Sequence, residues 1–309
     1  MTAAARSIGG VTGWRATLAV LGAAAAFAGC WIAVEDVLGR SLGRRYDLLQ
    51  IVWMRYAFHL AWLAALAIVL RPRPTWRSSR PIAQVMRSMT MLAMPLTFVA
   101  AMSVGERPMT VWTVFWIAPA IATGVAAAAM GEGAPRWAWV ALALAFVATV
   151  LVLRPAPPAG ATSLLVSIAM AASFGLYVAL TRALRDQPVW TNLWHSAAWV
   201  FLALTLVMPW RAVLPGAADL VLFAAMGGVG LVALYLLDRL LAGRTVASLA
   251  PLLFLPVVPV GLARLTGADG APLATAGGLL ALIGVSVYAA ARGSADAAGG
   301  AVAGGLVRR

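Results

Sequence analysis

The chain has no lysine, one cysteine and two histidines among 309 residues, and only 11% of its residues are charged. Each shortage excludes something. A lone cysteine, Cys30, cannot close an internal disulfide, so this is no disulfide scaffold. His59 and His195 form no His-x-x-x-His pair and have no cysteine cluster beside them, so no metal site is expected. No Gly-rich, lysine-bearing loop is present, so ATP is not expected to act directly. No catalytic constellation and no cofactor motif is expected either. Soluble domains carry about 25% charged residues; this chain is 63% apolar with a mean hydropathy of +0.92. A water-soluble protein cannot hide that much apolar surface, which leaves a multi-span membrane protein.

All 23 basic residues are arginine, and they leave a net charge of +13. Such a charge can mark nucleic-acid binding. Here the arginines sit mostly in short connectors between apolar runs, the pattern that sets membrane orientation, and no nucleic acid is expected as partner. Ten apolar runs are long enough to cross ~30 Å of hydrocarbon. They fall at 16–34, 49–70, 82–104, 109–130, 137–153, 163–181, 190–209, 217–237, 246–265 and 273–291. Runs this continuous predict helices, not the alternating strands of a barrel. No cleavable signal precedes the first run, which is read as a retained span. With the N-terminus in the cytoplasm, fourteen connector arginines (Arg6, Arg15, Arg71, Arg73, Arg77, Arg80, Arg136, Arg182, Arg185, Arg239, Arg244, Arg292, Arg308 and Arg309) face inward. Seven (Arg40, Arg44, Arg45, Arg107, Arg154, Arg211 and Arg264) face outward. Both termini are therefore expected on the cytoplasmic side of the inner (plasma) membrane. The Ala/Gly-rich segment 292–309 reads as a disordered tail.

The sequence also repeats at an offset of 137 positions, the distance from Arg107 to Arg244. The same offset carries Pro119 to Pro256, Glu132 to Asp269, and Gly133-Ala134-Pro135 to Gly270-Ala271-Pro272. A five-span unit crosses an odd number of times, so its second copy must enter from the opposite side. The expectation is an all-α membrane protein of ten transmembrane helices as a 5+5 inverted-topology repeat. The units cover 16–153 and 163–291, with segment 1–15 before them and a linker at 154–162. Transporters use this plan, with substrate bound where the halves meet.

Several motifs resemble those of the drug/metabolite transporter superfamily, in its EamA-type branch. Trp116-Ile117-Ala118-Pro119 through Met130-Gly131-Glu132 resembles that family's fourth span. Ala172-Ser173-Phe174-Gly175-Leu176-Tyr177 through Arg182 resembles the sixth. Ala247-Ser248-Leu249-Ala250-Pro251 through Pro256 resembles the ninth, and Arg55 matches an arginine common in span two. Three places depart from the pattern: Phe27-Ala28-Gly29, Glu35-Asp36 and Ala268-Asp269. The resemblance covers about 16–291. It implies ten spans, efflux of small organic compounds, and a central cavity to which spans one, six and eight contribute.

Candidate site residues follow from placement. Arg55 lies about seven residues into span two, roughly 10 Å deep at ~1.5 Å per residue, with His59 one turn further on the same face. A charge there is costly in lipid and marks a binding or proton-coupling pair, or else a structural contact. Arg87 is expected to snorkel from the end of span three. Asn192 and His195 share a face and suit interhelical hydrogen bonds. Trp112 and Trp116 share a helical face. Tyr177, Tyr235, Phe98 and Trp31 complete an aromatic cavity suited to flat or cationic molecules. Pro119 and Pro256 interrupt corresponding helices and are expected to shape the cavity; Glu132 and Asp269 are expected as helix-end or gate contacts. Gly227, Gly228 and Gly230 permit close helix contact.

The reading is a secondary transporter exporting a small organic metabolite or drug-like compound by alternating access. Its partners are that small molecule, the lipid bilayer and a candidate coupling proton; the sequence sets no oligomeric state. The rival is an integral-membrane enzyme or a lipid-handling subunit.

Overall fold

The computed structural model describes the backbone of residues 3–70, 77–266 and 272–307, and the side chains of 14–35, 37–70, 77–266 and 272–295. Among the described residues every regular element is helical: α1 (Ala3–Ile32), α2 (Leu48–Leu70), α3 (Pro81–Ser103), α4 (Pro108–Phe115), α5 (Ala118–Met130), α6 (Arg136–Leu153), α7 (Ala161–Ala183), α8 (Val189–Thr205), α9 (Ala217–Gly243), α10 (Val257–Leu265) and α11 (Pro272–Val307). Prolines set several starts. Pro81, Pro108 and Pro272 open α3, α4 and α11, where a missing N–H costs nothing. Gly131 ends α5 in the left-handed region at φ 65°, a conformation glycine adopts without strain.

Nine helical stretches among the described residues are long and apolar enough to span a membrane. One of them joins α4 and α5, and another runs from Val246 to Leu265. The described residues are thus all-helical, with helices of the length and composition found in multi-pass membrane proteins. The seventh expected span folds as α8, with 17 residues, and is continued by a short 3-10 turn at Met208–Trp210. At the C-terminal end, α11 runs on to Val307, where the sequence reading expects a disordered tail. Alanine is the strongest helix former, and the segment is rich in it.

Two of the spans are broken, and proline explains both. Pro119 has no N–H, and its ring collides with the carbonyl four residues back; that carbonyl belongs to Phe115, where α4 stops. The chain crosses the gap with tight turns, Trp116 N–H to Thr113 O at 3.3 Å and Ile117 N–H to Val114 O at 3.0 Å. Pro256 stands in the same relation to Leu252, which lies in the 3-10 stretch Ala250–Phe254. There Leu255 N–H reaches Leu252 O at 3.1 Å before α10 begins. A third irregularity is the π-helical segment Ala33–Leu38 that follows α1. A wider turn re-aims the side chains it carries, Glu35 among them.

Packing follows a reciprocal pattern. α3 packs on α7 and α8, while α9 packs on α1 and α2; α2 meets α8 and α6 meets α11. Glycine lets α9 close on α2: a Cβ on Gly227 would lie 2.5 Å from that of Phe58.

Candidate functional site

A cavity of about 540 Å³ lies between the helices. Its walls come from the π segment, the start of α2, the second half of α3, and both broken spans. The lining includes Trp31, Phe98, Trp112 and Trp116, with Arg55 and Pro256. Gly43, Tyr46 and Pro108 also line it. These belong to the connectors and helix starts at one end of the molecule, so the cavity reaches that end, here called the first.

The aromatic side chains form a connected set. Phe98 meets Trp112 with ring centroids 5.8 Å apart, and Trp112 meets Phe115 edge-on at 5.4 Å. Trp31 stacks on Phe115 at 5.8 Å and meets Phe174 at 5.3 Å, and Trp116 meets Phe254 at 5.7 Å. Such contacts fix ring orientation and leave flat apolar walls. The polar element is an ion pair: Arg55 Nη1 donates to Glu35 Oε1 at 3.1 Å, with both side chains partly exposed. Arg40 also lines the cavity. The flat part of the expected ligand class fits these walls.

Four expected residues lie elsewhere. Tyr177 is buried behind the cavity floor, its ring parallel to Phe174 at 6.3 Å. Pro119 is buried at the start of α5, outside the lining. Tyr235 is 44% exposed on α9 and is not among the residues lining this cavity. His59 is buried, edge-on to Tyr56 at 4.8 Å, with neither ring nitrogen hydrogen-bonded. It is packed against Gly230, where a Cβ would lie 2.8 Å from Nε2. Asp269 lies outside the described residues.

Arg87 corrects the sequence reading most. It does not snorkel: it is 1% exposed. Its Nη1 lies 3.4 Å from Asp238 Oδ1, and its Nη2 donates to Ser196 Oγ at 2.7 Å and to the Asn192 carbonyl. Asn192 Nδ2 donates to Asp238 Oδ1 at 3.0 Å, and Gln84 Nε2 to Asn192 Oδ1 at 2.7 Å. The Arg87 guanidinium also sits 5.6 Å from the Tyr177 ring centroid. Asn192 does bond between helices, as expected, but to partners the sequence did not reveal. Asp238 was missed altogether, because α9 extends past the apolar run to Gly243.

Beyond this cluster, contacts at the second end join several of the helices. Glu132 accepts from Arg182 Nε, and its other oxygen accepts from Val246 N–H at 2.9 Å. Arg182 Nη1 also donates to the carbonyls of Leu241, at 2.7 Å, and Ala242, at 3.1 Å. Arg80 donates to Ala183 O at 3.0 Å, and Gln187 Nε2 to Ser79 Oγ at 2.7 Å. Glu132 is thus a helix-end contact joining α5, α7 and the chain after α9. Ties exist at the first end as well, on one side of the cavity. Arg45 Nη1 and Tyr46 OH both donate to Asp219 at 2.6 Å, and Gln50 bonds both backbone groups of Val213. The hydrogen bond to Asp219 raises the Tyr46 phenol above its ordinary pKa, with desolvation adding to the shift.

Several residues of the two ends and of the spans beside them repeat at the sequence offset. Arg45 and Arg182 are 137 apart, as are Gln50 and Gln187, Trp53 and Trp190, and Trp62 and Trp199. Gln50 ties α2 to the connector before α9, and Gln187 ties the connector before α8 to the connector before α3. The same offset applied to span two would have revealed these pairs from sequence.

No family model and no curated protein matches this chain. Solved structures do: 22 chains match it. One of them, a protein known by its crystal structure, aligns with a TM-score of 0.70 over 90% of this chain and 97% of its own, at 16% identity. At that identity the likeness concerns the fold alone.

Proposed function

We propose that the chain is a ten-span secondary transporter, built as two inverted five-span units over 16–153 and 163–291, that moves a small flat organic compound by alternating access. The observation that carries this reading is an asymmetry. An aromatic cavity reaches one end of the bundle while ion pairs and hydrogen bonds join the helices at the other. Reciprocal packing supports the repeat: shifting by one five-span unit turns the α3–α7 contact into the α9–α1 contact, and α2–α8 onto itself. The proline-broken spans support it too, since Pro119 and Pro256 interrupt their helices at corresponding places. A cavity of about 540 Å³ suits a small organic ligand. Motif order together with this fold supports membership of the EamA-type branch of the drug/metabolite transporters.

In this reading the protein sits in the plasma membrane with both termini cytoplasmic, and the cavity faces outward. Export is the preferred direction. The two partnerless nitrogens of His59, one turn from Arg55, support that pair as the place for a coupling proton. Comparison of metabolites inside and outside cells with and without the protein tests the reading. One compound class should rise outside as it falls inside. A new chemical product without redistribution would show an enzyme instead, and altered lipid distribution between leaflets a lipid-handling protein. Charge preference is read with tryptamine, indole-3-acetate and tryptophan, which share a ring and differ in charge. At least one of the three should be carried.

A further inference from the structure

The open cavity and the buried Arg87 cluster are separated by a thin wall of rings. Phe115 contacts Phe174 at 5.2 Å, Phe174 stacks on Tyr177, and Tyr177 lies under Arg87. Each side of this wall holds one guanidinium–carboxylate pair, Arg55 with Glu35 at 3.1 Å and Arg87 with Asp238 at 3.4 Å. The cluster is not fully satisfied: Gln84 Oε1 and Arg87 Nε are buried without a hydrogen-bond partner. Buried polar groups in that condition are costly unless another state or ligand satisfies them.

The repeat says which state. Shifting residues of the open cavity by 137 positions takes Arg55 to Asn192, Arg40 to Tyr177, Phe98 to Tyr235 and Pro256 to Pro119. Asn192 is the centre of the buried cluster. The other three are the expected cavity residues that the open cavity leaves out. Two inverted units that exchange conformations exchange their surroundings as well, so positions lining the cavity in one state have counterparts lining it in the other.

We propose that the Arg87–Asn192–Asp238 cluster is a second ligand site, covered here and opened when α3 and α8 part from α9 at the second end. It takes the polar head of the same flat compound, a head that both accepts from a guanidinium and donates to a carboxylate or amide. Tyr177 forms the wall of that site on the septum side, and Pro119 shapes the helix beside it. The inference rests on the transporter reading, and it adds the residues that hold ligand on the second side.

Thiol accessibility tests it in a Cys30→Ser background. Met109→Cys reports on the open cavity, and Ser196→Cys, a near-isosteric change, reports on the cluster. Membrane vesicles of both orientations are treated with an impermeant methanethiosulfonate. Met109→Cys should react from the first end only. Ser196→Cys should react at least tenfold faster from the opposite face, and Asp238→Asn should raise that rate several-fold by loosening the pair. Leu249→Cys, the repeat counterpart of Trp112, serves if Ser196→Cys fails to fold. A cluster thiol that stays unreactive from both faces, or reacts from the Met109 face, overturns the second site. Flux of the best-carried indole is measured in the same vesicles. Flux without second-face labelling removes this inference and keeps the transporter; two-sided labelling without flux removes the transporter and keeps the second opening.

Discussion

The Glu35–Arg55 and Arg87–Asp238 pairs use the same chemistry in opposite surroundings. The first lies against an open cavity, its side chains 26% and 12% exposed; the second is sealed among α3, α8 and α9 at 5% and 2% for carboxylate and guanidinium. Water can screen the first pair, so its strength is small and its groups are available to a ligand. The second pair has lost its hydration, and each member depends on the other. One pair therefore borders an open cavity, and the other joins α3, α8 and α9.

The largest expected effect separates the two pairs by stability. Arg87→Leu or Asp238→Leu alone should cost about 3–5 kcal/mol, because each leaves a buried charge without its partner. Glu35→Gln should cost about 1 kcal/mol or less. Thermal unfolding in detergent measures both. Equal losses at the two pairs would dissolve the contrast.

Helix contact comes next. Gly227→Ala brings a Cβ to 2.5 Å from Phe58 Cβ, and overpacking of that kind costs about 1–3 kcal/mol. Gly22→Ala, with no atom within 4 Å of its added Cβ, should be neutral or stabilising by about 0.5–1 kcal/mol. The same unfolding experiment decides.

In the open cavity, Trp112→Ala and Trp116→Ala should each weaken ligand binding by about 0.5–2 kcal/mol at constant membrane abundance. Tyr235→Ala should leave binding from the first end unchanged, since that ring does not line the open cavity. Fluorescence titration with the indole series reads all three. A Tyr235 effect as large as that of Trp116 would place the ring in the cavity after all.

The smallest effect concerns Glu106, in the connector between α3 and α4. Desolvation pushes its carboxyl up from 4.5, but hydrogen bonds from Ser163 and from the Arg107 and Ala159 N–H groups, with the Arg107 charge, hold it lower. A depressed folded pKa contributes stability that is full above the unfolded value and lost as pH falls through the folded one. The wild type should thus keep an advantage over Glu106→Gln at neutral pH that disappears in strong acid. A constant difference across that range would remove the carboxylate from the account.

Much of this was legible in sequence because it is local. Apolar length gives the helices, and Pro119 and Pro256 mark where two of them break. The aromatic cavity was partly legible: helical spacing put Trp112 and Trp116 on one face, and both line the cavity together with Trp31 and Phe98, which the sequence also suggested. Tyr177 and Tyr235 were grouped with them by span, and span membership does not say which end of a helix meets the cavity. Arg87 was illegible for a different reason. Six residues into its helix, it looks like an arginine reaching for the interface, and its partner Asp238 is 151 positions away. Only the packing of α3 against α8, beside α9, brings them together.

The most direct measurement is indole flux into proteoliposomes holding the purified chain, wild type against Trp116→Ala. The transporter reading predicts saturable uptake of at least one indole above empty liposomes, reduced severalfold by the substitution. Uptake equal to that of empty liposomes for all three indoles, by protein that still binds them, would contradict it.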